Sequence, residues 1–121
     1  MKLQVVVPML TVTDVSASVS FYRDKLGFEC ANELSGWASM NKDGVEIMFA
    51  LPNAHIPFEK PQLTGSLYFR CKAVDALWQD VKDKTEIVYP IENFDYGMRE
   101  FAIRDNNGYL LQFGEELQAE G

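Results

Sequence analysis

The sequence predicts an α+β fold in which two βαβββ modules form a curved mixed sheet around a cup, with the helices outside. One observation is a C-terminal hairpin pattern, in which two alternating apolar runs flank Asp105–Gly108. A second is the same pattern around Asn41–Gly44, where Gly44 lies 64 residues before Gly108. A third is a set of residue types that recurs 59 positions along the chain, Val15, Ala17, Asp24 and Lys25 matching Val74, Ala76, Asp83 and Lys84.

The first module opens with a strand and a helix. Leu3–Val12 is rich in Val and Leu, which predicts a strand that is buried on at least one face. Pro8 removes one ladder donor, so this strand should lie at an edge, at a bulge, or at a contact between modules or subunits. Asp14 can N-cap the helix and Gly27 can end it, around an apolar stripe of Val15, Val19, Tyr22 and Leu26.

Three further strands complete the first module, which spans about residues 1–53. Phe28–Leu34 is typical of a strand with Phe28 and Cys30 on one face. Trp37–Phe49 is typical of a hairpin. A stretch with three prolines and no regular period follows, which predicts a connector over about residues 52–63.

The second module repeats this order over about residues 63–116. Gly65–Cys71 alternates as a strand, with Ser66, Tyr68 and Arg70 on one face. A helix then follows from the apolar stripe of Val74, Leu77, Trp78 and Val81.

The rest of that module is a short strand, a loop and the C-terminal hairpin. Glu86–Pro90 predicts the strand, and Glu92–Gly97 predicts a loop that holds about five extra residues of this half. Phe101–Phe113 is the hairpin that closes the chain. Neither half can bury its helix and its sheet alone, so we expect residues 1–121 to form one domain in which the paired sheets curl around a shared cup.

Composition excludes several classes of protein. With 121 residues, 47% hydrophobic and 24% charged, the chain suits one globular domain. Its net charge of −7 argues against nucleic acid and membrane as partners and is compatible with a cationic ligand, although solubility alone would also account for it. No apolar run approaches the roughly 18 residues of a membrane span. Cys30 and Cys71 form no Cys-x-x-Cys pair, which indicates buried free thiols in a cytoplasmic protein.

Three stretches carry a resemblance to a known family, namely Val7–Val15, Phe21–Phe28 and Tyr96–Asp105. Together they resemble the vicinal oxygen chelate superfamily of glyoxalases, bleomycin-resistance proteins and dioxygenases, and most closely its bleomycin-resistance branch. The resemblance covers essentially the whole chain. It is less specific for function, because this scaffold hosts lyases, dioxygenases, fosfomycin-modifying enzymes and drug-sequestering proteins.

The resemblance also bears on metal binding. In the enzymes of the superfamily, four cup-facing positions hold His, Glu or Gln around a divalent ion, and these positions correspond here to Val7, Met48, Ser66 and Gln112. Valine cannot ligate, a thioether is a poor partner for a hard ion, and the two neutral oxygen donors are weak ligands. The single histidine, His55, lies in the connector, where a solvated side chain is expected. We therefore predict no metal site and no cofactor.

Without a metal, the predicted cup is a binding cavity. Trp37 and Tyr96 stand where bleomycin-binding relatives present aromatic side chains to a flat ligand, and packing in the core or in a dimer is the alternative for both. Glu46 should share a strand face with Met48, where it would be a buried base, a contact for a cation, or one half of an ion pair at the rim.

A cationic side chain is the last candidate for this cavity. Arg99 and Glu100 point to opposite faces of their strand, so one of them should reach the cavity. Of the two we favour Arg99 as the ligand anchor, and a solvated ion pair is its alternative. The predicted ligand-binding residues are thus Trp37, Glu46, Met48, Ser66, Tyr68, Tyr96, Arg99 and Gln112.

Three functions are compatible with these residues. The preferred one is a metal-free protein that sequesters a small aromatic or cationic molecule, such as a bleomycin-like antibiotic, in clefts of a homodimer. Pro8 suits an exchanged N-terminal strand, which relatives use to form such dimers. The second is a metal-dependent glyoxalase-like lyase or dioxygenase with an atypical site. The third is an interaction module that no longer binds a ligand.

Overall fold

Two βαβββ modules make up the part of the chain that the computed structural model describes, residues 1–55 and 58–118. The chain divides into two units, Met1–Pro61 and Gln62–Gly121. Each unit has one helix and a four-stranded mixed sheet, which confirms the predicted α+β class and the repeated order of elements. Neither helix of the described residues is long and apolar enough to cross a membrane.

The first module has the strand order β1-β4-β3-β2, with β1 parallel to β4 and the other neighbours antiparallel. The parallel pair is made by the first and last strands, and β1 lies at the sheet edge. Its elements are β1 Met9–Thr11, α1 Val15–Leu26, β2 Glu29–Leu34, β3 Trp37–Lys42 and β4 Val45–Ala50.

Helix α1 is defined by its own sequence. The Asp14 side chain accepts a hydrogen bond of 3.0 Å from the Ala17 amide, and Gly27 ends the helix at φ 77°. The predicted stripe faces the sheet, where the buried Tyr22 ring lies 5.6 Å from that of Phe28 and 4.8 Å from that of Phe49. Capping and periodicity therefore predict the first and the last residue of this helix correctly.

Strand β1 is shorter than predicted, because Leu3–Val12 was expected and only Met9–Thr11 pairs with β4. The Pro8 carbonyl still accepts from the Met48 amide at 2.9 Å. Proline has no amide hydrogen to donate, so the ladder stops there.

The second module has the equivalent strand order β5-β8-β7-β6, with β5 parallel to β8. The hairpin of β7 and β8 is the predicted C-terminal hairpin, and Gly108 supplies the positive φ of its turn, 88°. The elements are β5 Leu67–Arg70, α2 Val74–Val81, β6 Glu86–Phe94, β7 Met98–Arg104 and β8 Leu110–Glu116.

Strand β6 corrects the prediction of a loop over Glu92–Gly97. The strand continues to Phe94, and only residues 95–97 form the turn before β7. Its pairing with β7 shifts register on both sides of Tyr89. Such bulges break the alternation of exposed and buried residues, so periodicity could not reveal the strand's length.

Helix α2 begins without a cap from its own sequence. Ala73 at its N-cap is left-handed, with φ 54°, and makes no side-chain cap bond. Instead, the Glu115 carboxylate of β8 accepts from the Val74 amide at 3.1 Å. On the same face of the sheet, Trp78 packs 5.1 Å from Phe101 between ring centroids, which agrees with the apolar stripe predicted for this helix.

The two modules agree in register as well as in order. Met48 of β4 pairs with Met9, and Gln112 of β8 pairs with Tyr68. Gln112 follows Met48 by 64 residues, the same spacing as the two hairpin glycines. Met48 and Gln112 therefore hold equivalent strand positions, which is what the 64-residue spacing of the two hairpin glycines implies.

Candidate ligand-binding site

A directed chain of hydrogen bonds crosses the face of the second sheet that lies opposite α2. Ser66 donates to the Gln112 side-chain oxygen, and the Gln112 nitrogen donates to the Tyr89 hydroxyl at 2.9 Å. Tyr89 donates in turn to Glu100 Oε2, while Tyr68 donates to Glu100 Oε1 at 2.7 Å. Every donor therefore runs toward one carboxylate.

The Glu100 carboxylate is almost entirely buried, with 1% of the residue exposed. Burial raises the pKa of Tyr68, and the hydrogen bond to Glu100 raises it further. The same two causes, in that order, raise the pKa of Tyr89 from its ordinary value of 10 to about 12. Both hydroxyls consequently stay protonated at neutral pH and act as donors to the carboxylate.

The raised pKa of Tyr89 predicts a stability loss in alkali. Because the folded-state pKa exceeds the unfolded one, neutral Tyr89 stabilises the fold fully below about pH 10, and this contribution is lost as the pH rises toward about 12. We expect Tyr89→Phe to show a shallower fall of unfolding free energy across this window than the unsubstituted protein, measured by urea denaturation. Equal slopes in the two proteins would contradict this linkage.

An open cleft of about 570 Å³ lies beside this series of hydrogen bonds, in the same module. Tyr68 is 40% exposed and Tyr96 64% exposed, so both rings present surface to it. The Tyr96 ring stacks on Phe94 at 5.5 Å and 14°, which gives the cleft a preformed aromatic wall. Besides these two tyrosines, its lining includes Arg70, Met98, Glu116 and Leu117.

Gly114 makes room for Tyr68 at the floor of this cleft. A Cβ atom at position 114 would overlap the Tyr68 hydroxyl and lie 2.9 Å from its Cζ. Gly114 also pairs directly with Glu100 across β7 and β8. The absence of a side chain there thus lets the Tyr68 ring cross β8 and reach the buried carboxylate.

The first module has a smaller cluster of polar side chains on the equivalent face of its sheet. Trp37 and Met48 lie there, both partly buried, together with Glu46, whose Oε2 accepts from Ser39 at 2.7 Å. Asn41 donates to the same serine oxygen at 3.4 Å. Glu46 and Met48 share a face as predicted, and Glu46 joins none of the ion pairs formed by the described residues.

A second cleft, of about 590 Å³, lies at the start of α1. Ser16 donates to Glu33 there at 2.9 Å, and Leu34 and Leu51 line its walls. The described side chains around this cleft form no hydrogen-bonded network comparable to that around Glu100. The cleft of the second module is therefore the better candidate site.

The position of Arg99 contradicts the prediction that this residue anchors the ligand. Its guanidinium binds the Asp75 carboxylate of α2 through Nε and Nη2, at 3.0 and 2.8 Å, and donates to Asn93 at 3.0 Å. It therefore lies on the helix side of the sheet, and the expectation that it shares a face with Tyr68 is wrong. Glu100 has that position instead.

The four positions that hold metal ligands in related enzymes do not suit a divalent ion here. Val7 has no donor atom, and Met48 offers only a thioether. In the second module, the Gln112 oxygen that would ligate already accepts from Ser66. Within residues 1–55 and 58–118, no three His, Cys, Asp or Glu side chains form a group that could hold a metal. His55 is exposed in the connector.

Several residues of this site lie outside the predicted set. The sequence-based prediction favours Arg99 over Glu100, places Tyr89 only in a short strand, and puts Arg70 on the correct face without a role. It singles out neither Gly114 nor Glu116. A signal for Glu100 was present, because Phe101 and Ile103 are apolar and alternate with Glu100 and Ala102. The apolar pair belongs under the helix, so Glu100 belongs on the other face.

Comparison with known proteins supports the family assignment. Residues 3–113 match the family model of the Glyoxalase/Bleomycin resistance protein/Dioxygenase superfamily. No curated protein sequence matches at a significant level. A protein of unknown function from Agrobacterium tumefaciens str. C58 is 26% identical, with a TM-score of 0.80 and 97% of both chains covered.

Two less similar structures share the fold. One is a glyoxalase/bleomycin resistance protein/dioxygenase from Nocardioides, 17% identical, with a TM-score of 0.80 and 99% of this chain and 87% of that one covered. The other is a lactoylglutathione lyase from Agrobacterium tumefaciens, 21% identical, with a TM-score of 0.70 and coverage of 93% and 92%. The family model spans nearly the whole chain, and the fold has both of the expected βαβββ modules. The chain therefore belongs to the Glyoxalase/Bleomycin resistance protein/Dioxygenase superfamily.

Proposed function

We propose that this protein is a metal-free small-molecule-binding protein that takes a flat aromatic ligand into the cleft of its second module. One observation carries the proposal: two tyrosine hydroxyls donate to the buried Glu100 carboxylate, and Ser66 and Gln112 extend this network, beside a cleft with two exposed tyrosine rings. A concave site with a few convergent polar groups is the usual form of a ligand pocket. Aromatic walls favour a planar molecule, and the net charge of −7 of the chain is compatible with a cationic one.

A bleomycin-like antibiotic is the candidate ligand. Isothermal titration calorimetry with bleomycin should give saturable binding with a dissociation constant at or below about 1 μM. Tyr96→Leu removes the exposed face of the stacked pair and should weaken binding about tenfold. Arg99→Gln, on the opposite face of the same sheet, is the matched control and should bind as the unsubstituted protein does. A titration without heat would refute the antibiotic as ligand.

The alternative is a metal-dependent lyase or dioxygenase. It would need an ion held by Val7, Met48, Ser66 and Gln112, whose donor set is poor, and the Gln112 oxygen is already engaged by Ser66. Elemental analysis of protein purified without chelators or a metal-affinity column separates the two functions. We expect far less than one equivalent of zinc, nickel, manganese or iron, and a stoichiometric ion would favour the enzyme.

The N-terminal segment supports a homodimer. Residues 1–8 lie outside the strands, and Leu3 and Val6 are 80% and 87% exposed. Apolar side chains that are exposed on a segment outside the sheet are suited to packing against a second copy of the chain. Light scattering coupled to size-exclusion chromatography should give twice the 13.8 kDa chain mass, and Leu3→Lys with Val6→Lys should shift it to the monomer. A monomeric mass for the unsubstituted protein would exclude this assembly.

The free thiols favour a cytoplasmic location. Cys30 and Cys71 are unpaired and half-buried. Burial, together with the nearby Glu115, raises the pKa of Cys71, so its thiol is poorly reactive. Cysteines that form no disulfide are typical of a reducing compartment.

A further inference from the structure

The cleft of the second module carries charge of both signs. Arg70 lies on one strand of its lining and Glu116 on another, and Glu100 lies buried behind Tyr68. We infer that the ligand is a zwitterion, a planar aromatic molecule that bears both a carboxylate, bound by Arg70, and an ammonium group, bound at Tyr68 and Glu116. This inference rests on the proposed function and narrows its ligand class.

The direction of the hydrogen bond between Tyr68 and Glu100 determines whether the Tyr68 hydroxyl can donate to a ligand or only accept from it. Its hydroxyl proton is committed to Glu100 at 2.7 Å, so lone pairs are what remain for a ligand. Its raised pKa, caused first by burial and then by Glu100, keeps that proton in place. An acceptor backed by a buried negative charge favours an N–H donor, and an ammonium group most of all.

Glu116 adds a second site for a cationic group. It is exposed at the cleft and points from β8 to the same face as Gln112 and Gly114, since these residues alternate along the strand. Its negative charge and the acceptor of Tyr68 therefore act on the same side of the sheet. A ligand ammonium between them would gain from both.

Arg70 provides the opposite charge. It is exposed, it lines the cleft, and none of the salt bridges found among the described residues includes it. Its strand partner is Gly114, which has no side chain to cover the guanidinium. A guanidinium binds a carboxylate through two parallel hydrogen bonds, so Arg70 is suited to a ligand carboxylate.

The test uses one ring in four charge states. Indole, tryptamine, indole-3-acetate and L-tryptophan are neutral, cationic, anionic and zwitterionic at pH 7, and each is titrated by calorimetry. We expect L-tryptophan to bind about tenfold or more tightly than tryptamine or indole-3-acetate, because two charged contacts are made together. Indole should bind most weakly.

Variants that remove one charge each test which residue binds the carboxylate of the ligand and which binds its ammonium group. Arg70→Gln should weaken L-tryptophan and indole-3-acetate about fivefold or more and leave tryptamine unchanged. Glu116→Gln should weaken L-tryptophan and tryptamine and leave indole-3-acetate unchanged. Arg99→Gln removes the same charge from the other face of the sheet and should alter none of the four affinities. Circular dichroism of each variant verifies that the fold is intact.

Three outcomes would overturn the inference. If tryptamine or bleomycin binds and a carboxylate brings no gain, the ligand is a simple cation and the proposed binding function still stands. If Arg70→Gln leaves L-tryptophan binding unchanged, the carboxylate contact is absent. Failure of bleomycin and all four probes to bind would overturn both the zwitterion and the proposed function.

Discussion

Replacing Phe101 with alanine should lower the free energy of unfolding by about 3–5 kcal/mol. The side chain is fully buried, and its ring lies 5.1 Å from Trp78 of α2 and 5.3 Å from Phe113 of β8. Its removal leaves a cavity between the helix and the sheet that these neighbours cannot fill. Chemical denaturation followed by far-ultraviolet circular dichroism measures the loss.

An exposed residue of the same module serves as the control. Leu63 is 44% exposed and lies outside the helices and strands, so Leu63→Ala should change the unfolding free energy by no more than about 0.5 kcal/mol. A loss below about 1 kcal/mol for Phe101→Ala would mean that the aromatic cluster is not the core of this module.

Replacing Gly114 with alanine is expected to displace Tyr68 and break its hydrogen bond to Glu100. The added methyl group would overlap the tyrosine hydroxyl and would also lie close to Met98 Cε, 3.1 Å away. The lost bond to a charged group should cost about 1.5–3 kcal/mol of stability. The affinity for bleomycin should fall about tenfold, because Tyr68 leaves its place at the cleft. Denaturation and calorimetry measure the two effects.

Gly36 and a double substitution control this experiment. A methyl group on Gly36 would meet only Leu51 Cδ1 at 3.8 Å, an ordinary contact, so Gly36→Ala should change stability by less than about 1 kcal/mol. In a Tyr68→Ala background, Gly114→Ala should have no further effect on binding, since the displaced ring is already gone. A full effect in that background would show that Gly114 acts without Tyr68.

Local signals account for most of what the sequence predicted about the fold. Asp14 and Gly27 bound α1 because a cap and a left-handed glycine act within one turn of the chain. The two hairpins follow from alternation and from glycines at positive φ, 81° at Gly44 and 88° at Gly108. These features depend on neighbouring residues only, and one sequence suffices to find them.

The site was harder to predict because it depends on register and on bulges. Tyr89 reaches Glu100 from β6, whose pairing shifts on either side of it, so strict alternation assigns its face incorrectly. The space that Gly114 leaves for Tyr68 is a contact across 46 residues of sequence. Arg99 pairs with the Asp75 carboxylate on α2, a tertiary contact that no local pattern contains, and Glu100 has the position on the cleft side instead.

Equivalent positions in the two modules have acquired different chemistry. Trp37 pairs with Ala50 in the first sheet, as Glu100 pairs with Gly114 in the second. An aromatic ring and a carboxylate thus occupy the same place in the repeated unit, opposite a small residue in each case. Internal duplication predicts the backbone of both halves well and their side-chain function poorly.

The first turn of α2 is capped by Glu115 of β8, and this has a consequence for synthesis on the ribosome. Helix α1 has 12 residues and its own cap, whereas α2 has eight and relies on Glu115, 41 positions further along the chain. So short a helix is marginal by itself. During translation the N-cap of α1 is therefore synthesised together with its helix, whereas the Glu115 acceptor at the start of α2 is present only once the last strand has been synthesised.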